Sequence, residues 1–420
     1  MKEKTKKSNH QIFIRTAFCV LAVISAVFFV CCALLPTRDP HLSGGEKITE
    51  PDGAETNPTV PEETLSEAQR LLEAMTQWEK IGQLFVVQPE MLEHTQPGAT
   101  EGETGCKAVT QQLENALARY PVGGIAMFAQ NLQSPQQITK FNQDLQQLSK
   151  IPLFIAIDEE GGAVARIANH NGFSVPRYKS AAAVGATGDT SNAEEMGGTI
   201  GMYLREYGFN MNFAPVADVY TNPQNTVIGN RAFSSDAQTA SNMASAMAQG
   251  LRNQNITPVF KHFPGHGDTA QDSHYELAVT YKTLDEMMEC EWLPFKDATN
   301  QDFVMLGHVA APNITGDMTP ATMSYQLVTE CLRQKCGFSG LIITDSFVMD
   351  TILKNYASGE AAVMAFQAGC DIVLMPEDLD ACFLAVESAL ENGNLTEKWL
   401  DDTVLRILEF KLCAMTEIER

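Results

Sequence analysis

Basic residues are scarce. The chain carries 29 Lys and Arg against 52 Asp and Glu, a formal net charge of −23. A nucleic-acid surface needs a basic patch, so no nucleic-acid partner is expected. No CxxC pair occurs among the 10 cysteines, which removes zinc ribbons and thioredoxin-like redox motifs. No GxGxxG or Walker sequence follows any apolar run, so the glycine-rich phosphate loops of nucleotide-binding sheets are missing. What remains is a globular composition, 44% hydrophobic and 19% charged over 420 residues. The excess acid favours solubility and reads as a solvated face.

The few cations at the front are unevenly placed. Lys2, Lys4, Lys6, Lys7 and Arg15 precede an apolar run, 17–35, broken only by Ser25. That run is long enough to cross a bilayer as a helix, and the charge before it predicts the N-terminus inside and the remainder outside. A cleaved signal peptide is the alternative, but its apolar region is usually shorter and no small-x-small site follows. Residues 1–35 are therefore expected to be a membrane anchor or signal segment. Residues 36–65 are rich in Pro, Glu, Thr and Gly and nearly free of large apolar groups. They predict a flexible acidic stalk, since they have too little surface to bury against the ordering entropy. Membrane contact is expected through the N-terminal helix alone. Cys19, Cys31 and Cys32 fall in the anchor, leaving seven cysteines, an odd number that cannot all pair internally. Cys331 and Cys336 are a possible pair; buried free thiols are an equal alternative.

From residue 66 the pattern becomes regular. Ser66 before EAQRLLEAM is a plausible N-cap, and Thr76 with Glu79 matches a capping box. Eight short apolar runs then recur between helical stretches: 83–87, 123–128, 152–158, 211–218, 256–263, 303–309, 340–345 and 370–376. Runs without alternation suit parallel strands buried on both faces. One helical stretch is LDEMMECEWLPFKDA, 284–298. Eight strands in βα alternation predict an α/β fold, a (β/α)8 TIM-type barrel over 66–420. A doubly wound open sheet would usually carry the phosphate loop that is missing here.

Polar groups collect where these runs end: Asp158, Asp218, Lys261 with His262, His308 and Asp345. In a closed barrel those ends share one rim, where catalytic groups sit. One Asp ending a strand often just caps the next helix. A charged or histidyl group after five separate strands is harder to set aside.

The densest stretch is KHFPGHGDTAQDSH, 261–274. With IDEEGGAVAR (157–166), FAPVADV (213–219), IGNRAF (228–233) and IITDS (342–346), it resembles glycoside hydrolase family 3, and specifically the NagZ-type β-N-acetylglucosaminidases. The motifs occur in the family's order and span most of 70–376. The resemblance implies a barrel that hydrolyses terminal β-linked N-acetylglucosamine by a retaining double displacement, with a small GlcNAc-containing saccharide as substrate. A peptidoglycan fragment, a chitin fragment and a free disaccharide all remain open as the natural one.

A retaining glycosidase needs a nucleophile and a group that protonates the leaving oxygen. Asp345 matches the family's nucleophile. The resemblance gives His274 as the acid/base, where most glycosidases use a second carboxylate. Asp272, two residues earlier, is placed to accept a hydrogen bond from its ring. An imidazole titrates near neutrality, so it can give and recover a proton there. Asp158, Arg166, Arg231, Lys261 and His262 match sugar contacts, and His308 is a further candidate for the pocket wall. His266 and Asp268 are expected to hold the loop, with a cis bond plausible at Phe263–Pro264. Ala163 stands where the family often has Arg. Glu159 and Glu160 look like an acid pair, but adjacent positions send them to opposite sides. No cofactor or metal is expected, and a monomer is. Two other classes are open: a metal-dependent hydrolase using His262, His266, Asp268, Asp272 and His274 as zinc ligands, and a non-catalytic cell-wall saccharide-binding protein.

Overall fold

The computed structural model describes residues 65–94, 105–270, 273 and 276–416, apart from the side chains of 414–416. Eight strands form its frame: β1 (Phe85–Val87), β2 (Gly124–Met127), β3 (Phe154–Ile157), β4 (Met211–Asn212), β5 (Thr257–Phe263), β6 (Phe303–Leu306), β7 (Leu341–Thr344) and β8 (Val373–Leu374). Each lies inside one of the eight apolar runs. They pair in the order β7-β6-β5-β4-β3-β2-β1-β8, every pair parallel. A parallel bridge between Ile343 and Ile372 brings the two ends of the sheet together, giving a (β/α)8 barrel. Every residue of the eight strands is buried, which explains why the runs do not alternate.

The helix starts follow their caps. Ser66 and Gln69 exchange hydrogen bonds, as do Thr76 and Glu79. The helix expected over 284–298 is instead two pieces, Leu284–Glu289 and Leu293–Lys296. Pro294 lacks the N–H a continuous helix needs, and Glu291 turns inward to accept from Thr221. Cys331 and Cys336 are free thiols, and burial pushes them up to about 11 and about 12.

The expected anchor, 1–35, and the stalk up to residue 64 lie outside the described residues. Among the described residues no helix is long and apolar enough to cross a membrane.

The two ends of the barrel use charge differently. At the strand N-termini, buried carboxylates tie loops to the frame. Asp371 accepts from Arg333 and Arg406, each at 2.5 Å, and from the Ile342 N–H. Asp302 accepts from Arg252 and from both Thr299 donors. Lys411, from the last helix, Glu397–Thr416, enters the same end. Its ammonium donates to Gln83 Oε1 and Gly123 O at 2.8 Å and lies 4.7 Å from the Phe154 ring centre.

Lys411 makes no ion pair with any described residue, and burial pushes its ammonium down to about 7. Between that pH and the ordinary lysine value the unfolded chain binds more protons than the folded one, so stability rises with pH across the window. One such group contributes at most about 1.4 kcal/mol per pH unit. Lys411→Met cannot titrate and should flatten the rise in Tm between about pH 7 and 9. Equal slopes for variant and wild type in thermal melts would refute this reading of the ammonium.

Candidate active site

Past β3 the chain carries Asp158 and folds into a two-stranded ribbon, Glu159–Gly161 with Val164–Ala165. Gly161 and Gly162 turn it with positive φ, a conformation side chains resist. Adjacent residues of an extended segment face opposite ways. Glu159 points into the fold and accepts from the Ile167 and Ala168 N–H groups and the Tyr203 hydroxyl. Glu160 points into the barrel mouth. Its oxygens take the Arg231 fork at 2.9 and 2.8 Å, and Lys261 Nζ lies 2.7 Å from Oε1. Lys261 also donates to Asp158 Oδ1 at 2.7 Å. Arg166 sits 3.6 Å from the other Asp158 oxygen, its guanidinium over the Phe128 ring.

This cluster stays charged. Burial opposes the ionised form of Glu160, yet Lys261 and Arg231 outweigh it and hold the carboxyl at about 2. Lys261 and Arg231 are raised by their carboxylates against the same cost of burial.

The second cluster hangs on Asp218, fully buried beyond β4. Its Oδ2 accepts from His262 Nδ1 at 2.7 Å, and its Oδ1 accepts from the His266 N–H at 2.6 Å. A carboxylate only accepts, so His262 carries a proton on Nδ1 and turns Nε2 away from Asp218. The peptide bonds Lys261–His262 and Phe263–Pro264 are both cis. Gly265 has φ +124°, and a Cβ there would meet the Glu291 side chain at 2.7 Å. Asp268 holds the loop, accepting from Thr280 at 2.7 Å, with Lys282 3.5 Å away.

Asp345 ends β7. Its N–H donates to Leu306 O and its Oδ1 accepts from the Ser346 N–H, both at 2.8 Å. Burial opposes its charge, but His262, His308, the Ser346 N–H and Lys261 together hold the carboxyl below its ordinary value. It is ready as an anion.

One cavity of 480 Å³ gathers these groups at the C-terminal end of the strands. Asp158, Arg166, Arg231, Lys261, His262 and Asp345 all line it, as do Glu160, His266 and Ser273. His308 does not. It is wholly buried, donates from Nε2 to Ser346 O at 2.9 Å, and has Thr322 Oγ1 3.1 Å from Nδ1. The expectation that it touches substrate is therefore corrected: both ring nitrogens are engaged, and it braces the residue after Asp345. Asp272 and His274 lie outside the described residues. A larger groove, 590 Å³, opens at the other end of the barrel, but its arginines, Arg252 and Arg406, are already paired with Asp302 and Asp371.

Glu160 was missed as a functional residue. Its signal was the alternation with Glu159, which sends it to the side where Lys261 and Arg231 need an anion.

The glycosyl hydrolase family 3 N-terminal domain matches residues 76–410. The chain belongs to that family. Beta-hexosaminidase A of Pseudoalteromonas piscicida is 33% identical over 327 residues, 71% of this chain and 55% of that protein. Beta-hexosaminidase LpqI of Mycobacterium tuberculosis is 34% identical over 309 residues, 70% of this chain and 77% of that one. A family 3 β-N-acetylglucosaminidase structure from a Paenibacillus species superposes with a TM-score of 0.74 at 33% identity, covering 82% of this chain and 63% of that one. The chain thus spans little more than half of the first relative and under two thirds of the Paenibacillus protein.

Removing one partner of a buried charged cluster leaves the others uncompensated, at a cost of about 3–5 kcal/mol. Glu160→Gln should lose that much in denaturant melts. Its contribution is complete above the ordinary carboxylate value of 4.5 and is lost as pH falls toward about 2. The variant's stability should therefore fall less steeply than wild type over that range; matching acid limbs would show the carboxyl is not held by the two cations.

Proposed function

We propose that this protein is a retaining exo-β-N-acetylhexosaminidase that removes terminal β-linked N-acetylglucosamine through a covalent glycosyl-Asp345. Asp345 attacks the anomeric carbon as the bond to the leaving oxygen breaks, and His274 gives that oxygen its proton. Water then gives a proton back to His274 and attacks the same carbon, releasing Asp345 as the carboxylate. Asp158 and the Lys261 ammonium offer an acceptor and a donor for adjacent sugar hydroxyls, with Arg166 and Arg231 bounding the same space.

The observation that carries this reading is the state of the cavity's other carboxylates. Glu160 is held near 2 by two cations, Asp158 is bound to Lys261, and Asp350 pairs with Lys354 at 2.9 Å. None is placed to arrive protonated at the leaving oxygen, whereas Asp345 is an anion. The chemistry asks for a proton donor of another kind, and a histidine fits. The natural substrate we infer is a peptidoglycan-derived saccharide, met outside the cytoplasm by a chain tethered through residues 17–35; the run of apolar residues behind five cations supports that placement.

Asp345→Asn keeps the shape but is a far poorer nucleophile. Turnover should fall to background while Tm stays within about 2 °C, the shift that a fraction of a kcal/mol produces. Mass spectrometry of wild type quenched on a slow substrate should find the sugar on the Asp345 peptide; a sugar on another residue, or active Asp345→Asn, sinks the assignment.

A zinc hydrolase is the competing chemistry, and His266 counts against it: Ser273 and Thr269 lie 2.8 and 3.0 Å from its two ring nitrogens. Hydrolysis of a chromogenic N-acetylglucosaminide should survive exhaustive EDTA dialysis. Loss restored by zinc would install the metal reading instead.

A further inference from the structure

His308 touches no substrate in the proposed reaction, yet it is wholly buried and held at both ring nitrogens. A carbonyl only accepts, so the 2.9 Å contact of Nε2 with Ser346 O places a proton on Nε2. Thr322 Oγ1, also buried, lies 3.1 Å from Nδ1, and the ring centre packs 5.7 Å from that of Phe347. These contacts join the turn Ala321–Met323 to the two residues after Asp345.

Those two residues matter because so little else holds the Asp345 carboxylate. Among the described residues, the Ser346 N–H at 2.8 Å is the one hydrogen-bond donor to it. Lys261 and His262 of β5 and His308 from beyond β6 act on it by charge, and His266, in the turn after β5, also feels it. Charge favours the anion but falls off only slowly with distance, whereas a hydrogen bond is directional. The orientation of the carboxylate thus follows where the Ser346 N–H points. The chain on either side is tied to the barrel: Asp345 N–H donates to Leu306 O at 2.8 Å, and Phe347 N–H to Leu374 O at 3.0 Å. Between those ties the Ser346 hydroxyl is buried without a partner among the described residues, so its side chain does not fix it. Its carbonyl does, and the group that holds the carbonyl is His308.

We propose that His308 is a positioning residue for the nucleophile: by holding Ser346 O it fixes the N–H that orients the Asp345 carboxylate toward the sugar. Thr322 steadies the ring from its other nitrogen. A histidine that never meets substrate thereby acts on bond formation through the residue next to the nucleophile. The inference rests on the reading of Asp345 as that nucleophile.

The test follows formation of the glycosyl-enzyme itself in the full chain. In a 5-fluoro N-acetylglucosaminyl fluoride the leaving group departs without a proton, and the ring fluorine opposes the oxocarbenium-like transition state that releases the sugar. Quenched mass spectrometry then reads both the rate at which sugar accumulates on the Asp345 peptide and the final extent. His308→Leu fills the space without a donor. It should slow labelling by about tenfold to a hundredfold, the loss expected when a reacting group is misplaced by about 1 Å. The final extent should stay that of wild type. A merely structural role would lower the extent by the fraction of misfolded chains and leave the rate of the rest unchanged. His308→Gln, which offers an amide N–H toward Ser346 O, should recover part of the rate. The acid limb of the labelling rate should move to higher pH in His308→Leu, because one group that lowers the Asp345 carboxyl is gone while Lys261 and His262 remain. The cavity's other carboxylates, Asp158, Glu160 and Asp350, stay paired with Lys261, Arg231 and Lys354 and are common to both proteins. Labelling of His308→Leu at the wild-type rate, or a loss of extent alone, overturns the positioning role and leaves Asp345 as the nucleophile. Sugar on a residue other than Asp345 in wild type overturns that reading, and the role of His308 with it. Should His308→Leu fail to fold, Thr322→Val decides. It removes only the hydroxyl at Nδ1 and should slow labelling about threefold to tenfold, the weight of one hydrogen bond, so an unchanged rate would sink the proposal.

Discussion

Lys261 carries a full positive charge where the barrel excludes water, and a buried ammonium is tolerated only beside anions that are held close. It has two, Asp158 and Glu160, each 2.7 Å away. Much of the cavity's layout follows from satisfying that charge. Asp158 must stand at the end of β3 and Glu160 two residues later on the same side. Glu160 then has room for a second cation, which draws Arg231 in from the segment beyond β4. Three separate pieces of chain are thereby fixed around one ammonium, and Asp158 and Arg166 face the cavity.

The next residue of β5 repeats the logic with the opposite sign. Asp218 is a carboxylate with no exposed surface, and its donors, His262 Nδ1 and the N–H groups of His262 and His266, all come from the strand end and the turn after it. So β5 delivers a cation to β3 on one side and takes an anion from the β4 loop on the other. The N-terminal end of the barrel has buried charge too, in Asp302, Asp371 and Lys411, but there the arginines that line the groove, Arg252 and Arg406, are already paired with Asp302 and Asp371. The two ends differ less in their content of charge than in whether any of it is left over.

The frame was legible because a strand buried on both faces writes itself as an unbroken apolar run, and all eight barrel strands fall inside such runs. The helix expected over 284–298 failed for a local reason: periodicity registers the apolar faces of both pieces but not the missing N–H of Pro294 or the inward turn of Glu291. Site residues were legible where a motif named them at a strand end, as with Asp158, Lys261, His262 and Asp345, which one cavity brings together. Arg166 and Arg231 join it from loops. Glu160 and His308 went wrong in opposite directions. Glu160 looked like half of an idle acid pair, because sequence does not show which cations lie across the barrel. His308 looked like a pocket wall, because its position after β6 says nothing of Thr322 and Ser346, which take both its nitrogens. The dyad expected at Asp272 and His274 lies outside the described residues.

Those observations bear on why a histidine would serve as the acid in this cavity. A carboxylic acid acts as a proton donor near neutrality only where its surroundings favour the neutral form, by burial away from cations. This cavity does the reverse. Lys261 and Arg231 outweigh burial and hold Glu160 far below neutrality, and Lys261 also helps keep Asp345 an anion. A second carboxylate brought beside these cations would be ionised for the same reason and would arrive without its proton. An imidazole starts from a higher value, and a neighbouring carboxylate raises an imidazole further. The surroundings that keep Asp345 an anion thus also act against a second carboxylic acid as the proton donor in this cavity.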